Sequence, residues 1–307
     1  MCVVHMSKIT FSFATYQRPF VTPLVTHHGT WEVRSGIIIR IADDEGRVGW
    51  GEIAPLSWFG SETLAQAIAF CQEIEKKSLT EAVIKEIPSH LTACQFGFEC
   101  ALEDLYHHPT VAEDSLDYSY LLPAGKEALR ACQQERRTTF KWKIGVKPLE
   151  EELEIFTQLV PLLQGAKVRL DANGGLSLAK AIAWLKIADE TGVVEFLEQP
   201  LPPAQFQEML ELSREYQTAI ALDESVATLT QLEACYHNQW RGIYVIKPAI
   251  AGSPQKLRRL CRELKLDLVF SSVFESKIGR QAVLNLAREL GTQRALGFSI
   301  NHWFKEI

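Results

Sequence analysis

The sequence predicts an α/β protein, a modified TIM-like (β/α)7β barrel preceded by an N-terminal α+β capping domain. From about residue 118 onward, short apolar runs alternate with stretches of helical spacing, which is typical of a parallel sheet covered by helices. Polar residues close successive runs at intervals of 24 to 28 residues, about one strand and one helix each time. We therefore expect a capping domain over residues 1–105 and a barrel over residues 106–307, with the C-terminal end returning to the cap.

The first hundred residues carry strand patterns first and helix patterns after them. Residues 8–52 alternate apolar and polar side chains, interrupted by the acidic residues and glycine at 43–46, which predicts strands joined by a tight turn. Residues 61–77 and 90–106 then carry apolar residues at helical spacing. Ser61 is the expected N-cap of the first of these helices.

Eight apolar runs predict the strands of the second unit. Eight strands that alternate with helices fit a closed parallel barrel better than an open sheet. The runs span residues 118–122, 140–146, 166–173, 193–200, 218–225, 242–249, 266–276 and 295–299.

The polar residues at the ends of these runs are the candidates for function. In a parallel barrel the carboxyl ends of all strands meet at one rim, which is where such barrels carry out chemistry. The residues at those ends are Lys143, Asp171, Glu198, Asp223, Lys247 and Ser271.

Three of the candidates are acids that end consecutive runs: Asp171, Glu198 and Asp223. Carboxylates held this close repel one another, and a hard divalent cation with oxygen ligands relieves the repulsion. An all-carboxylate set favours Mg²⁺ over Zn²⁺, with Mn²⁺ as an alternative ion. Solvated loop acids are the other interpretation, and their recurrence in three successive units disfavours it.

Lysines flank the acids along the chain. Lys141 and Lys143 precede the first acid, and strand alternation turns both toward the barrel interior with Trp142 on the opposite face. Lys247 ends the run after the last acid. A lysine buried beside a cation and a second lysine becomes a usable base near neutral pH, whereas solvated surface lysines are the plainer alternative.

Composition limits the classes of protein that remain. The chain has 307 residues, 47% of them hydrophobic, and a net charge of −6 without long blocks of like charge, so neither a nucleic-acid surface nor an anionic-membrane surface is indicated. Seven cysteines without a CxxC pair indicate reduced thiols and a cytoplasmic protein. No apolar run is long enough for membrane insertion. The oligomeric state stays open.

Taken together, the motifs resemble the enolase superfamily, in its muconate-lactonizing branch. They are Lys-x-Lys at 141–143, Asp-x-Asn at 171–173, Glu-Gln-Pro at 198–200, Asp-Glu-Ser at 223–225 and Lys-Pro at 247–248. A Lys or His base that works beside Mg²⁺ is a known property of that superfamily. Residues 51–63, 247–252 and 271–276 are similar to dehydratases of the branch.

The resemblance implies an activity and roles for individual residues. The implied reaction is the dehydration of 2-succinyl-6-hydroxy-2,4-cyclohexadiene-1-carboxylate, a small-molecule carboxylate on the way to menaquinone or phylloquinone. It assigns proton abstraction α to the carboxylate to Lys143, and charge stabilisation of the resulting enediolate to Lys247 and Mg²⁺. The residues expected to contact the substrate are Lys141, Arg169, Asn173 and Ser271.

Several relatives with the same lysine pair are alternatives. N-acylamino acid racemases and muconate cycloisomerases resemble the chain in that pair. Dipeptide epimerases carry an acidic Asp-x-Asp on the last strand, which residues 295–299 lack, and the mandelate racemase branch needs a histidine that residues 268–276 lack. A non-catalytic metal-binding barrel is the alternative from a different class, although no acid or lysine of the set is missing.

Overall fold

The computed structural model describes residues 9–26, 29–77, 79–106, 112, 115–297 and 303–304. These residues form one antiparallel sheet of three strands and one parallel sheet of seven strands. The predicted α/β fold, a curled parallel barrel sheet behind an N-terminal cap, is confirmed. In the described ranges, no helix has both the length and the apolar character needed to cross a bilayer.

The cap begins with a meander of three strands, β1 (Thr10–Thr26), β2 (Gly29–Ala42) and β3 (Val48–Ile53). The predicted turn at 43–46 joins β2 to β3, and the Asp43 carboxylate accepts hydrogen bonds from the backbone N–H groups of Glu45 and Arg47. Side chains of Asp at such positions stabilise tight turns in this way.

Three helices complete the cap, α1 (Leu64–Glu75), α2 (Glu81–Lys85) and α3 (Thr92–Leu105). The prediction that Ser61 caps α1 is wrong. Thr63 is the N-cap and forms a capping box with Gln66, whereas the Ser61 hydroxyl accepts a hydrogen bond from the backbone N–H of Leu56. Both residue types cap helices well, so the sequence alone did not distinguish them.

Strand β3 packs directly on α3, and glycine makes this close approach feasible. A Cβ atom added at Gly51 would lie 2.0 Å from the carbonyl oxygen of Gly97 on α3. Since backbone atoms cannot move aside as a flexible side chain can, any larger residue at this position must push the helix away from the sheet.

Gly51→Ala is therefore expected to lower the free energy of unfolding by about 1 to 3 kcal/mol, the usual cost of overpacking a core. Urea unfolding monitored by circular dichroism measures the effect. Gln72→Ala on the exposed face of α1 is the control, since such surface changes usually stay within about 0.5 kcal/mol. Equal stability of the two variants would contradict the packing argument.

The barrel strands are ordered so that sequence neighbours pair in parallel, from β4 to β10. Residues 296 and 297 extend the sheet across its open edge: the Leu296 N–H donates to Asp117 O and the Gly297 N–H donates to Phe270 O. The strands are β4 (Tyr120–Leu121), β5 (Thr139–Lys143), β6 (Lys167–Asp171), β7 (Val194–Glu198), β8 (Ala219–Leu222), β9 (Ile243–Ile246) and β10 (Asp267–Phe270).

Helices cover the outside of this sheet. Their buried faces pack on outward strand residues such as Trp142, whose ring lies 6.1 Å from that of Trp184. The helices are α4 (Glu127–Gln134), α5 (Leu149–Leu159), α6 (Leu178–Thr191), α7 (Phe206–Glu215), α8 (Leu229–His237), α9 (Pro248–Ala251), α10 (Pro254–Leu264) and α11 (Lys277–Glu289).

The inside of the barrel is a separate apolar layer. Phe196 of β7, Val245 of β9 and Val269 of β10 belong to this cluster and are at most 2% exposed. Because successive strand side chains point to opposite faces, the residues two positions after Phe196 and two positions after Val245 lie on the same inward face. Those residues are Glu198 and Lys247, so the packed layer forms the floor beneath the rim.

A buried carboxylate joins the cap to the barrel. Glu52 of β3 is 1% exposed and accepts hydrogen bonds from the backbone N–H groups of Ser276 and Gly279, both 2.9 Å long, at the start of α11. A carboxylate at a helix N-terminus satisfies unpaired N–H groups and interacts favourably with the helix dipole. The Tyr16 hydroxyl also donates to Glu52, so β1, β3 and α11 meet at this point.

Candidate active site

The three predicted acids lie together at the carboxyl ends of adjacent strands. The β5–β6 and β6–β7 registers place Asp171 beside Lys143 on one side and beside Glu198 on the other. Asp223 follows directly after the end of β8, which pairs with β7. Each of the three acids is at most 3% exposed, so the structure buries three carboxylates on one rim as the strand spacing predicted.

Two lysines contact these acids. Lys141 Nζ lies 2.9 Å from Asp171 Oδ2 and 2.8 Å from Glu198 Oε1. Lys247 Nζ forms an ion pair with Asp223 Oδ1. The lysines therefore hold the acid cluster from two sides, because β5 and β9 lie on opposite sides of the three acid-bearing strands.

Lys143 differs from the other two lysines. The prediction that it is buried is wrong: its side chain is exposed at the rim, whereas Lys141, two residues deeper on the same inward face, is the lysine enclosed by carboxylates. Among the described residues, no ion pair shorter than 4 Å involves Lys143. Its ammonium group is thus placed at the mouth, with Asp171 as its strand neighbour.

Burial and mutual repulsion govern the charges of the acids. Burial first, and then the negative charge of Asp171, raise the pKa of Glu198 to about 7. Burial also raises the pKa of Asp223 to about 6, although Lys247 opposes it. Burial alone acts the same way on Asp171, but Lys141 and Lys143 together hold its pKa below the ordinary value.

Lys141 shows the complementary effect. Burial by itself lowers the pKa of a lysine, but the carboxylates of Asp171 and Glu198, with Asp223 behind them, outweigh it and hold the pKa of Lys141 well above its ordinary value. Lys141 is therefore a fixed positive charge in this arrangement. Its role is to neutralise the acids, and it is not suited to accept a proton.

The chemistry of the three acids fits a hard divalent cation. They supply only carboxylate oxygens, and burial together with their mutual repulsion raises the pKa of Glu198. As the side chains stand, no three His, Cys, Asp or Glu residues of the described ranges converge closely enough to enclose a metal ion. Lysine ammonium groups contribute to neutralising the same carboxylates.

The raised pKa of Glu198 predicts how stability depends on pH in the metal-free protein. A carboxyl group that binds its proton more tightly when folded stabilises the fold below its unfolded pKa of about 4.3. That contribution is lost as the pH rises through the folded value of about 7. In the presence of a chelator, Glu198→Gln is therefore expected to weaken the decline of the unfolding free energy between about pH 4.5 and 7.5.

Denaturant unfolding across that pH range, with EDTA present, tests this prediction. Glu211→Gln on the exposed side of α7 is the matched control, and its pH dependence should follow the wild type. Identical curves for wild type and Glu198→Gln would show that Glu198 does not titrate in this way.

Protein groups engage Arg169 in the structure. Arg169 is 1% exposed, its Nε lies 2.6 Å from Glu195 Oε2, and its Nη1 donates to the carbonyl oxygen of Ala295. Its guanidinium also lies over the ring of Phe196 in the barrel floor. Alternation correctly turned Arg169 inward, level with Lys141 in the strand register, and Glu195 and Ala295 accept from its guanidinium.

Asn173 and Ser271 do lie at the rim. The Asn173 backbone N–H donates to Asp171 Oδ1 over 3.0 Å, and its side-chain amide donates to Glu224 Oε1 over 3.2 Å. Glu224 is thereby tied to the site. Ser271 follows β10 and pairs with Gly297.

Gln199 is a structural residue of the site that sequence reasoning did not single out. Its Oε1 accepts hydrogen bonds from the N–H groups of Asp223, over 2.9 Å, and Ser225, over 3.1 Å, and its Nε2 donates to the Ser225 hydroxyl over 2.7 Å. Gln199 is fully buried and fixes the loop that carries Asp223. The available signal was its place between Glu198 and Pro200, since a polar residue at a buried strand end needs partners.

The cap contributes an aromatic ring to the same rim. Phe59 lies in the segment 57–61, and Lys247 Nζ lies 4.0 Å from the centre of its ring. Sequence patterns give no distance between a cap loop and a barrel lysine, because the contact depends on how the two units dock.

Comparison with known proteins first establishes the class. Residues 124–306 match the family described as enolase C-terminal domain-like, and residues 10–105 match the MenC N-terminal domain. A parallel barrel with acids and lysines on one rim, beneath an α+β cap, is the arrangement expected from the resemblance. The chain is therefore a member of the enolase superfamily.

Individual relatives narrow the class. An o-succinylbenzoate synthase from Thermosynechococcus vestitus is 42% identical over 296 residues, which cover 94% of this chain and 91% of that protein. One from Pectobacterium atrosepticum is 31% identical, covering 89% and 84%. The solved o-succinylbenzoate synthase of Thermosynechococcus elongatus BP-1, complexed with Mg in its active site, superposes with a TM-score of 0.90 at 40% identity over 97% and 95% of the chains. The chain belongs to the o-succinylbenzoate synthase family, a class of dehydratases among the lyases.

Proposed function

We propose that this protein catalyses the Mg²⁺-dependent dehydration of 2-succinyl-6-hydroxy-2,4-cyclohexadiene-1-carboxylate to 2-succinylbenzoate, a step toward menaquinone or phylloquinone. The observation that carries the proposal is the placement of Lys143 and Lys247 on opposite sides of three buried carboxylates. Family membership supports the same reaction, since the relatives are named for its product.

The reaction removes one proton and one hydroxide from neighbouring ring carbons. Lys143 is the proposed base, because its ammonium group lies at the open rim and no carboxylate pairs with it among the described residues. In its neutral form it takes the proton α to the carboxylate, and the same proton then goes to the departing hydroxide, which leaves as water. The ring gains a double bond and becomes aromatic, so no oxidant is needed.

Asp171, Glu198 and Asp223 are the proposed ligands of Mg²⁺. When bound, the ion supplies positive charge for the substrate carboxylate, on which a second negative charge develops as the α-proton leaves. The protein contributes burial, which makes each charge interaction stronger than in water.

Lys247 is proposed to stabilise the same developing charge from the opposite side of the acids. Its ammonium group is held against Asp223, so it lies where it attracts the developing charge of the carboxylate. Lys141, Arg169, Asn173 and Ser271 remain proposed substrate contacts. Of these, Lys141 contributes mainly through its charge, because Asp171 and Glu198 already accept from it.

A spectrophotometric assay with the cyclohexadiene substrate and Mg²⁺ tests the proposal. N-acylamino acids and dipeptides are assayed in parallel, because racemases and epimerases of the superfamily use the same lysine pair. We expect turnover of the diene and loss of turnover when EDTA removes the metal. Turnover of only an acylamino acid or a dipeptide would replace the proposed substrate. Absence of turnover with every substrate would favour a non-catalytic barrel.

A further inference from the structure

The cap segment 57–61, here called the cap loop, is rigid enough to place a side chain accurately. Its backbone closes on itself: the N–H groups of Phe59 and Ser61 donate to Leu56 O, and the Ser61 hydroxyl accepts from the Leu56 N–H. Gly60 adopts φ +117°, a conformation that favours glycine. The cap loop is thus a compact turn built to hold one shape.

The cap loop rests on the barrel loop that carries Asp223. A Cβ atom added at Gly60 would lie 3.2 Å from the Cβ of Ala227 and 4.0 Å from Cγ2 of Thr228. Ala227 is four residues after Asp223, in the loop that leads into α8. The docking fixes the position of the loop relative to the rim, and not only its internal shape.

Phe59 reaches from this loop to Lys247. The ring centre lies 4.0 Å from Lys247 Nζ, well within the distance at which the face of an aromatic ring attracts a cation. The Lys247 side chain is 13% exposed, so water competes weakly for its ammonium group. The carboxylate of Asp223 holds the same ammonium group. The Lys247 ammonium group therefore has two contacts, the ion pair with Asp223 and the ring of Phe59.

We propose that Phe59 is a positioning residue for Lys247, and this inference rests on the proposed function of Lys247. A lysine side chain has four rotatable bonds, so an ion pair at its tip leaves many orientations open. The Phe59 side chain has only two torsions and is held by a docked loop, so its ring excludes most of these lysine orientations at small entropic cost. The cap thereby acts on the reaction through a barrel residue, without itself carrying a charged group at that point.

A purely structural role for Phe59 makes a different prediction. Phe59 is half-buried and packs against the hydrophobic core, and leucine preserves such packing but has no aromatic face. Tyrosine keeps the face. The ring centre of Trp58, in the same loop, lies 5.0 Å from that of Trp31. Trp58→Leu removes this aromatic ring and is therefore the control for damage to the loop.

The first arm of the test is kinetic. With the diene as substrate and saturating Mg²⁺, we expect Phe59→Leu to lower kcat about tenfold, with KM changed less than about threefold. We expect Phe59→Tyr to restore kcat to within about threefold, and Trp58→Leu to stay near the wild type. An unchanged kcat in Phe59→Leu, or a change confined to KM, would overturn the inference.

The second arm does not depend on turnover. In protein labelled with ¹³C-lysine, the ε-methylene protons of Lys247, assigned by their loss in Lys247→Arg, should be shifted upfield by the ring current of Phe59. We expect Phe59→Leu to abolish that shift and Phe59→Tyr to retain it. A wild-type protein without diene turnover would refute the proposed function, whereas a shift that is absent from wild type or persists in Phe59→Leu would refute the contact itself.

Discussion

Lys143→Ala is expected to abolish dehydration while leaving the fold intact. Removing a general base costs about 10² to 10⁴ in rate, and here the same lysine is proposed to carry the proton to the leaving hydroxide as well. The loss in kcat should therefore reach at least about a thousandfold. Because the Lys143 side chain is exposed and forms no ion pair within the described ranges, the melting temperature should hardly change.

A charge-conserving variant separates proton transfer from electrostatics. Lys143→Arg keeps the positive charge, but a guanidinium group does not release its proton at accessible pH and cannot act as the base. We expect it to be as inactive as Lys143→Ala. Lys147→Ala, an exposed lysine beyond the end of β5, serves as the matched control with normal turnover. Substantial activity in Lys143→Arg would move the role of Lys143 from base to electrostatic stabiliser.

The position of the acids followed from the sequence because it depends on short-range regularities. A strand-plus-helix unit has a nearly constant length, so polar residues spaced 24 to 28 apart meet at one rim once the strands are parallel. Alternation then determined which side chains turn inward. Both rules held for Asp171, Glu198 and Asp223, which are buried side by side.

Depth along the barrel axis was not available from the same rules. Alternation gives the face of a strand but not the depth or the partners of a side chain, so it did not show that Arg169 is 1% exposed and paired with Glu195. The same rule turned both Lys141 and Lys143 inward, and it did not show that only the deeper Lys141 is enclosed by carboxylates. The height of a side chain depends on the strand register across the sheet, which a single sequence does not determine.

Contacts between distant segments were likewise beyond sequence patterns. Phe59 reaches Lys247 only because the cap docks on the barrel, and that docking rests on buried groups such as Glu52 at the start of α11. Gln199 was visible as part of a motif, yet its hydrogen bonds to the Asp223 loop need the three-dimensional register. Long-range placement of this kind is decided by packing, not by local propensity.

If Mg²⁺ binds the proposed acids, Asp171→Asn is expected to remove most of the stabilisation that the ion gives the wild-type protein. An ion that binds only the folded state adds about 2.7 kcal/mol to the unfolding free energy when its concentration is 100 times the dissociation constant. Asparagine removes one negative charge from the proposed ligand set but can still accept from the Asn173 N–H, so the metal-free fold should persist. Dehydration should be lost together with the Mg²⁺-dependent rise in melting temperature.

Thermal unfolding with and without Mg²⁺, together with calorimetric titration of the ion, measures both effects. Asp189→Asn is the matched control. Asp189, like Asp171, accepts backbone hydrogen bonds, here from Gln217 and Thr218, but it lies outside the rim. That variant should lose some intrinsic stability and keep the full response to Mg²⁺. If Asp171→Asn kept that response too, Mg²⁺ would have to bind elsewhere in the protein. The lysines alone would then balance the negative charge of the buried acids.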